Sequence, residues 1–385
     1  MNNIESKSDY HIISPVFNGE DNLELILEKA REIGYLNKIT FVNDASTDNT
    51  LEILKIWHRK EGLRFINLKD NQKKEGAILS ALELMNRKGL LPDKIITLDS
   101  DSFLVPRDKS ESIDIAIKKA SIYMDQMNLV GITFNMEPIL GERATFLEKI
   151  QYPEYTGLWF WHRLSAKQNK IWVLNGPGAM FRSEALIDTL KTMLPDFETG
   201  DFLITVNLMK KGCKIGYYEM IQLFTSVPST PFGLFKQRRR WERGTLKVLS
   251  WNISFYLDQT IKLNLIGAQL ILYLWIYFGW LVFIFNWKLD RLDISENILL
   301  LGSFWLLFNV CINLLNKSVL KYADIRKIIL YAPIWLILWP LIVMPARITG
   351  LLDFFKYYLI RISSGQNFKM NSNIDQVKLY HENDI

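Results

Sequence analysis

The sequence predicts an α/β domain followed by amphipathic helices and a carboxyl-terminal group of membrane-spanning helices. Three observations carry this. Short apolar runs alternate with helix-like stretches up to about residue 230, the composition turns strongly apolar after residue 260, and the segments there reach the length of a bilayer. With 385 residues, 49% hydrophobic and 13% aromatic, the chain is long enough for one large domain or two modest ones. Lys and Arg exceed Asp and Glu by 46 to 41, too little for a nucleic-acid partner, and neither a basic helix nor zinc-ligand spacing supports one. Two distant cysteines, Cys213 and Cys311, make no disulfide framework, and the polar first ten residues hold no signal-peptide core, so the α/β part is expected in the cytosol.

The strands come first. "HIISPV", "KITFVN", "LRFINL", "KIITL", "LVGITF", "IWVL" and "KIGYY" are apolar at nearly every position, which suits a sheet covered on both faces. Stretches such as 20–34 and 74–88 supply the covering helices. The first two strands run into polar turns, "SPVFNGEDN" and "VNDASTDNT", at the ends where open α/β sheets take ligands, and Asp48 or Asn49 can cap the helix that begins near Leu51. Asp44 is either a turn-forming residue or an acceptor for a heterocyclic N–H such as that of uracil. In "IITLDSDS" Asp99 and Asp101 lie two apart and project to one side of an extended segment, where they can offer hard oxygen ligands to Mg²⁺ or Mn²⁺. "ETGDFLITVNLMKKG" starts a helix, and Asp201 near its positive end is either a cap or a general base.

"FKQRRRWERG" falls on a helix from Phe232 to about Trp251, where Gln237 and Trp241, four apart, share a face. One arginine can serve a diphosphate, and the others can meet anionic headgroups. Trp241 either stacks on a sugar ring or anchors at the interface. Segments 263–285, 298–315 and 328–345 are the candidate spans; Lys317, Lys321, Arg326 and Lys327 place the second connecting loop in the cytosol, while Pro333, Pro340 and Pro345 can kink the third span.

Together these stretches resemble the membrane-integrated family 2 glycosyltransferases, the cellulose, chitin, hyaluronan and poly-N-acetylglucosamine synthases. The resemblance runs from about His11 over nearly the whole chain, on "SPVFNGEDN", "VNDASTD", "LDSDS", "NGPGAMFR", "TGD" and "QRRRW" in that order. It implies a Rossmann-like mixed sheet of the glycosyltransferase-A type over residues 8–230, with 142–164 as a possible interface helix, an amphipathic helix over 231–258, about three transmembrane helices over 263–346, and an interfacial segment and polar tail over 347–385. Multi-pass insertion in the plasma membrane, with the catalytic domain cytosolic, goes with it.

The same resemblance implies the chemistry: an inverting, metal-dependent transfer from a UDP-sugar to a growing glycan, with export of the polymer, or alternatively a single addition to a lipid. Pro15, Phe17, Asn18 and Asp44 would hold the uridine. Asp99 would sit by the nucleotide with Asp101 on the metal, Asp201 would be the base, and Gln237, Arg240 and Trp241 would close over the diphosphate and the acceptor. The Gly-Lys phosphate loop of the family reads "NQKKEGA" here, which leaves Lys73 and Lys74 in competition, and the acidic residue that often precedes the base is replaced by Gly200. Three spans hardly enclose a polar channel, so export implies a second copy of the chain or a small membrane partner.

Overall fold

The computed structural model describes residues 10–193, 198–288, 321 and 323–363. The chain divides into two compact units, whose described parts fall within 10–135 with 173–226 and within 136–172 with 227–363.

The first unit is built on an eight-stranded mixed sheet in the order β3-β2-β1-β4-β7-β6-β8-β5. Strands β1 (Tyr10–Val16), β2 (Ile39–Asn43) and β4 (Lys94–Leu98) are buried at nearly every position, as their unbroken apolar runs require. Strand β3 is Arg64–Asn67, and β3, β2, β1 and β4 pair in parallel. Helices α1 (Glu20–Ile33), α2 (Thr50–Glu61) and α3 (Lys73–Arg87) form the connections that parallel pairing demands. The remaining strands are β5 (Ser102–Pro106), β6 (Gly131–Pro138), β7 (Gly178–Arg182) and β8 (Ile215–Thr225), with α4 (Ile113–Gln126) between β5 and β6. Antiparallel β7 sits between β4 and β6, and β5 returns against β8.

From β1 the chain moves outward through β2 to β3, then comes back to lay β4 on the other side of β1. The loops leaving β1 and β4 therefore diverge, and a crevice opens at their carboxyl ends. That topology positions the site.

Two strands were hidden in the sequence and one expected strand is absent. "GAMFR", expected as part of a loop, is β7, and "SFLVP" is β5. "IWVL" does not pair; instead Leu174 N–H donates to Thr205 Oγ1 at 2.9 Å, a contact that no apolar pattern reports.

The second unit is helical. It contains α5 (Phe146–Ile150), α6 (Tyr152–Ala166), α9 (Pro231–Trp251), α10 (Ile253–Ile261) and α11 (Leu265–Lys288), numbered after α7 (Ser183–Lys191) and α8 (Gly200–Lys210) of the first unit. The aromatic stretch 142–164 buries Tyr152, Tyr155 and Trp159 within the protein, and Trp159 Nε1–H donates to Met136 O at 3.0 Å.

The expected membrane region is corrected here. Among the described residues no helix is long and apolar enough to cross a membrane, and this overturns the multi-pass plasma-membrane assignment. Segment 263–285 enters α11, whose side chains are described only through Trp275 and at Tyr277. Segment 298–315 lies outside the described residues. Segment 328–345 is broken into α12 (Ile325–Leu338), a π-helical turn at Trp339–Val343 and α13 (Met344–Ser363). The 14 residues of α12 reach about 21 Å at 1.5 Å per residue, short of the ~30 Å of hydrocarbon. The π turn carries Pro340, whose missing N–H and ring clash disrupt regular α-helical bonding.

Candidate active site

A cavity of about 250 Å³ lies in the crevice of the first unit, lined by Pro15, Val16, Phe17, Asp44, Lys74, Asp99, Ser100 and Asp101. Six of these were singled out from the sequence. They arrive from four places: the end of β1, the end of β2, the start of α3 and the turn after β4.

Asp44 is buried at the end of β2, where its N–H donates to Val16 O at 2.9 Å and its Oδ1 accepts from the Gln72 N–H at 2.7 Å. Burial raises its carboxyl above the ordinary range, and the N–H groups of Gln72 and Lys73 pull it back. Asn18 is not part of the lining. Its Oδ1 accepts from Thr47 N–H at 2.8 Å, and at φ 51 it turns the chain from β1 toward α1.

The two competing lysines are placed differently. Lys73 sits at φ 63, the left-handed region that favours glycine, and does not line the cavity. Lys74, next along, donates from Nζ to Asp99 Oδ1 and, at 2.7 Å, to Gly176 O. Burial would lower the Lys74 ammonium, but Asp99, Asp201 and Glu75 together raise it, so it remains a cation.

Asp99 and Asp101 leave β4 through a tight turn in which Ser102 N–H donates to Asp99 O at 3.0 Å. Burial, and then the charge of Asp99, push the Asp101 carboxyl up to about 6, with Ser102 Oγ and Lys74 opposing. Two carboxylates that repel each other in this way suit a divalent cation. Among the described residues no cluster of three or more His, Cys, Asp or Glu side chains could hold a metal.

Asp201 is the second residue of α8, past the N-cap Thr199, so it is not the cap. It faces the "NGPG" loop: a Cβ on Gly176 would stand 2.6 Å from Asp201 Oδ2. The loop is pinned by Asn175, whose N–H donates to Thr133 Oγ1 at 3.0 Å and whose Nδ2 donates to Phe134 O at 2.9 Å, while Asp99 N–H donates to Pro177 O at 3.0 Å. One short loop therefore meets Lys74, Asp99 and Asp201. Sequence reasoning assigned Gly176 only to a motif and did not single out Glu75. The signals were a glycine between asparagine and proline, and an acid directly after a lysine.

Gln237, Arg240 and Trp241 lie on α9 of the second unit. Arg240 is exposed and the Gln237 Oε1 is buried without a hydrogen-bond partner. The neighbouring arginines do not behave as expected. Arg238 is 4% exposed, bonds Glu154 Oε2 at 2.8 Å and lies 4.2 Å over the Trp241 ring, and Arg239 makes two bonds of 2.6 and 2.8 Å to Asp353 on α13. Arg238 is buried against its carboxylate partner, whereas the Arg239 side chain stays 43% exposed beside its own.

The model of glycosyl transferase family 2 matches residues 11–190. Those residues are a little under half of the chain. The chain is also 26% identical over 280 residues to a poly-beta-1,6-N-acetyl-D-glucosamine synthase of Staphylococcus aureus, covering 71% of this chain and 64% of that protein, so it spans under two thirds of the relative's length. A synthase of the same name from Staphylococcus epidermidis is 25% identical over 322 residues, 80% of this chain and 73% of that protein. Among solved structures, S. aureus TarS 1-349 in complex with UDP matches over 98% of each chain at 16% identity, with a TM-score of 0.39, too distant for residues to be carried across. The segment that this model matches holds every residue of the cavity and Gly176, and α8 with Asp201 follows just beyond it.

Proposed function

We propose that this protein is an inverting glycosyltransferase that takes a sugar from a UDP-sugar and adds it to a growing glycan. What supports the reading most is the arrangement around Lys74, one ammonium shared by Asp99 and the Gly176 carbonyl, within the field of Asp201, in the crevice that also holds Asp44. The name of the staphylococcal relatives makes UDP-N-acetylglucosamine the first donor to try.

In this reaction Asp201 takes the proton from an acceptor hydroxyl as its oxygen attacks the anomeric carbon. The bond from that carbon to the β-phosphate oxygen breaks, and the electron pair leaves with UDP. Lys74 holds positive charge where the diphosphate develops negative charge, and Asp44 accepts from the uracil N–H. Asp99 and Asp101 would hold Mg²⁺ or Mn²⁺, which would add positive charge at the leaving group. On the motif alone, Gln237, Arg240 and Trp241 are assigned to the diphosphate and the acceptor sugar, and Trp241→Ala should lower turnover at saturating donor.

The deciding experiment measures UDP release from a panel of UDP-sugars and digests the product with glycan hydrolases of known linkage. Asp201→Asn should lose about 10²- to 10⁴-fold in turnover, the range of general-base catalysis, with UDP affinity retained. Wild-type turnover by Asp201→Asn would remove the base assignment. A product that partitions into organic solvent in place of a digestible polymer would move the acceptor from glycan to lipid.

A further inference from the structure

At Gly200, the residue before Asp201, the place of a side chain is taken by the Glu75 carboxylate, which would have to move to admit one. A Cβ there would overlap that carboxylate and stand 2.7 Å from Glu75 Cγ. Glu75 is the third residue of α3, directly after Lys74, and comes to α8 from 125 positions away in the chain. An acid in the first turn of a helix ordinarily faces solvent and complements the helix dipole. This one is turned inward, against the start of a different helix. Burial raises its carboxyl, Lys74 pulls it back, and the charges of Asp201 and Asp99 raise it again, so it shares the electrostatic environment of the cavity.

We propose that Glu75 is a positioning residue for the base: from α3 it fills the space over Gly200, packs the first turn of α8, and holds the Asp201 carboxylate in register with the Gly176 loop. The proposal rests on the transferase reading and goes beyond it. The carboxylate next to the base is supplied across space by α3, since position 200 supplies none. Gly200 and Glu75 then form a reciprocal pair in which the missing side chain of one is the space of the other. Either residue alone can be the donor of the carboxylate, and having both would crowd two like charges into one volume.

The test is a reciprocal exchange: Glu75→Gln, Glu75→Ala, Gly200→Glu and the double Glu75→Ala/Gly200→Glu, assayed for UDP release from UDP-N-acetylglucosamine with Mg²⁺ or Mn²⁺, for UDP affinity by calorimetry, and for Tm. Glu75→Gln and Glu75→Ala should lower kcat about tenfold or more with UDP affinity within about threefold, since the ground-state nucleotide site is unaltered. Gly200→Glu should lower both kcat and Tm, and the double should recover kcat to within about threefold of wild type and restore Tm, a non-additive cycle. A folded Glu75→Ala with wild-type kcat overturns the proposal, as does a double variant no better than Glu75→Ala in an additive Tm cycle. If wild type turns over none of the UDP-sugars, the transferase reading itself fails and the role in positioning a base fails with it; the Tm cycle still reports separately whether residues 75 and 200 share one space.

Discussion

Burial and the charge of Asp99 hold the Asp101 carboxyl near 6, above the 3.8 of a solvated aspartate. A carboxyl raised on folding binds more protons in the native state than in the unfolded chain, so stability falls as pH rises from about 4 to about 6. At 1.36 kcal/mol per pH unit the ceiling is large, but Asp101 keeps partial solvent contact, which reduces the cost to on the order of 1 kcal/mol. With chelator present, Asp101→Asn should therefore raise Tm by roughly 2–4 °C at pH 7 and leave it unchanged at pH 4. An equal gain at both pH values would mean that the repulsion is not the cause. The same side chain was singled out from "LDSDS" for its spacing. Spacing foretold that the two carboxylates leave one strand end together; that Lys74 bridges to only one of them depends on α3 arriving from elsewhere in the chain.

Among the elements, β1 and β2 show why a sheet buried on both faces is sensitive to acid. His11 on β1 is 6% exposed, with its Nε2 2.9 Å from Thr40 Oγ1 of β2. Burial, then Arg64 and Lys38, lower its pKa to about 4. The unfolded chain takes up this proton near 6.5, so the stability present at pH 7 is lost as pH falls from about 6.5 to about 4, by about 3 kcal/mol in all. His11→Asn should flatten the denaturant-unfolding free energy over that window, whatever it does to the absolute stability at pH 7. If the slope stays as in wild type, another group carries the acid sensitivity.

Strands of this kind were easy to read because most of their residues are apolar. Others, such as β7 and β5, were not, since "GAMFR" and "SFLVP" are short, and their pairing with β4 and β8 is antiparallel and long-range. Helix α9 shows the complementary failure. Its period and position were legible, but the arginines read as partners for a diphosphate and for anionic headgroups, and only packing revealed that Arg238 meets Glu154 and Arg239 meets Asp353.

At the scale of the molecule, the two units differ in what holds them. The first is an apolar-cored sheet with a charged crevice. The second contains a polar knot: Glu242 on α9 accepts from the Tyr273 and Tyr277 hydroxyls of α11 through Oε1 and from Arg347 Nε of α13 at 2.7 Å through Oε2. Glu242 is 5% exposed, and the Arg347 guanidinium lies 5.0 and 5.3 Å over the two tyrosine rings. Removing the carboxylate strands a buried cation, which typically costs about 3–5 kcal/mol. Glu242→Ala should show that loss in scanning calorimetry, whereas Glu242→Ala/Arg347→Met should recover part of it. A Glu242→Ala transition matching wild type would mean that the knot contributes nothing.

By itself the sequence determined the alternation of strand and helix in the first unit, the strand-end aspartates and the order of its motifs, because apolar periodicity and turn chemistry are local properties of the chain. It misled where hydrophobicity had two possible solvents. An apolar run is equally at home against lipid or against other side chains, and only the fold shows Trp159 enclosed by protein and a π turn inside the 328–345 run. The tertiary structure alone decided which lysine faces Asp99, which arginines are neutralised within the fold and which acid stands over Gly200. Each of those is a meeting of residues far apart in sequence, fixed by the sheet order and by steric exclusion, neither of which leaves a periodic trace.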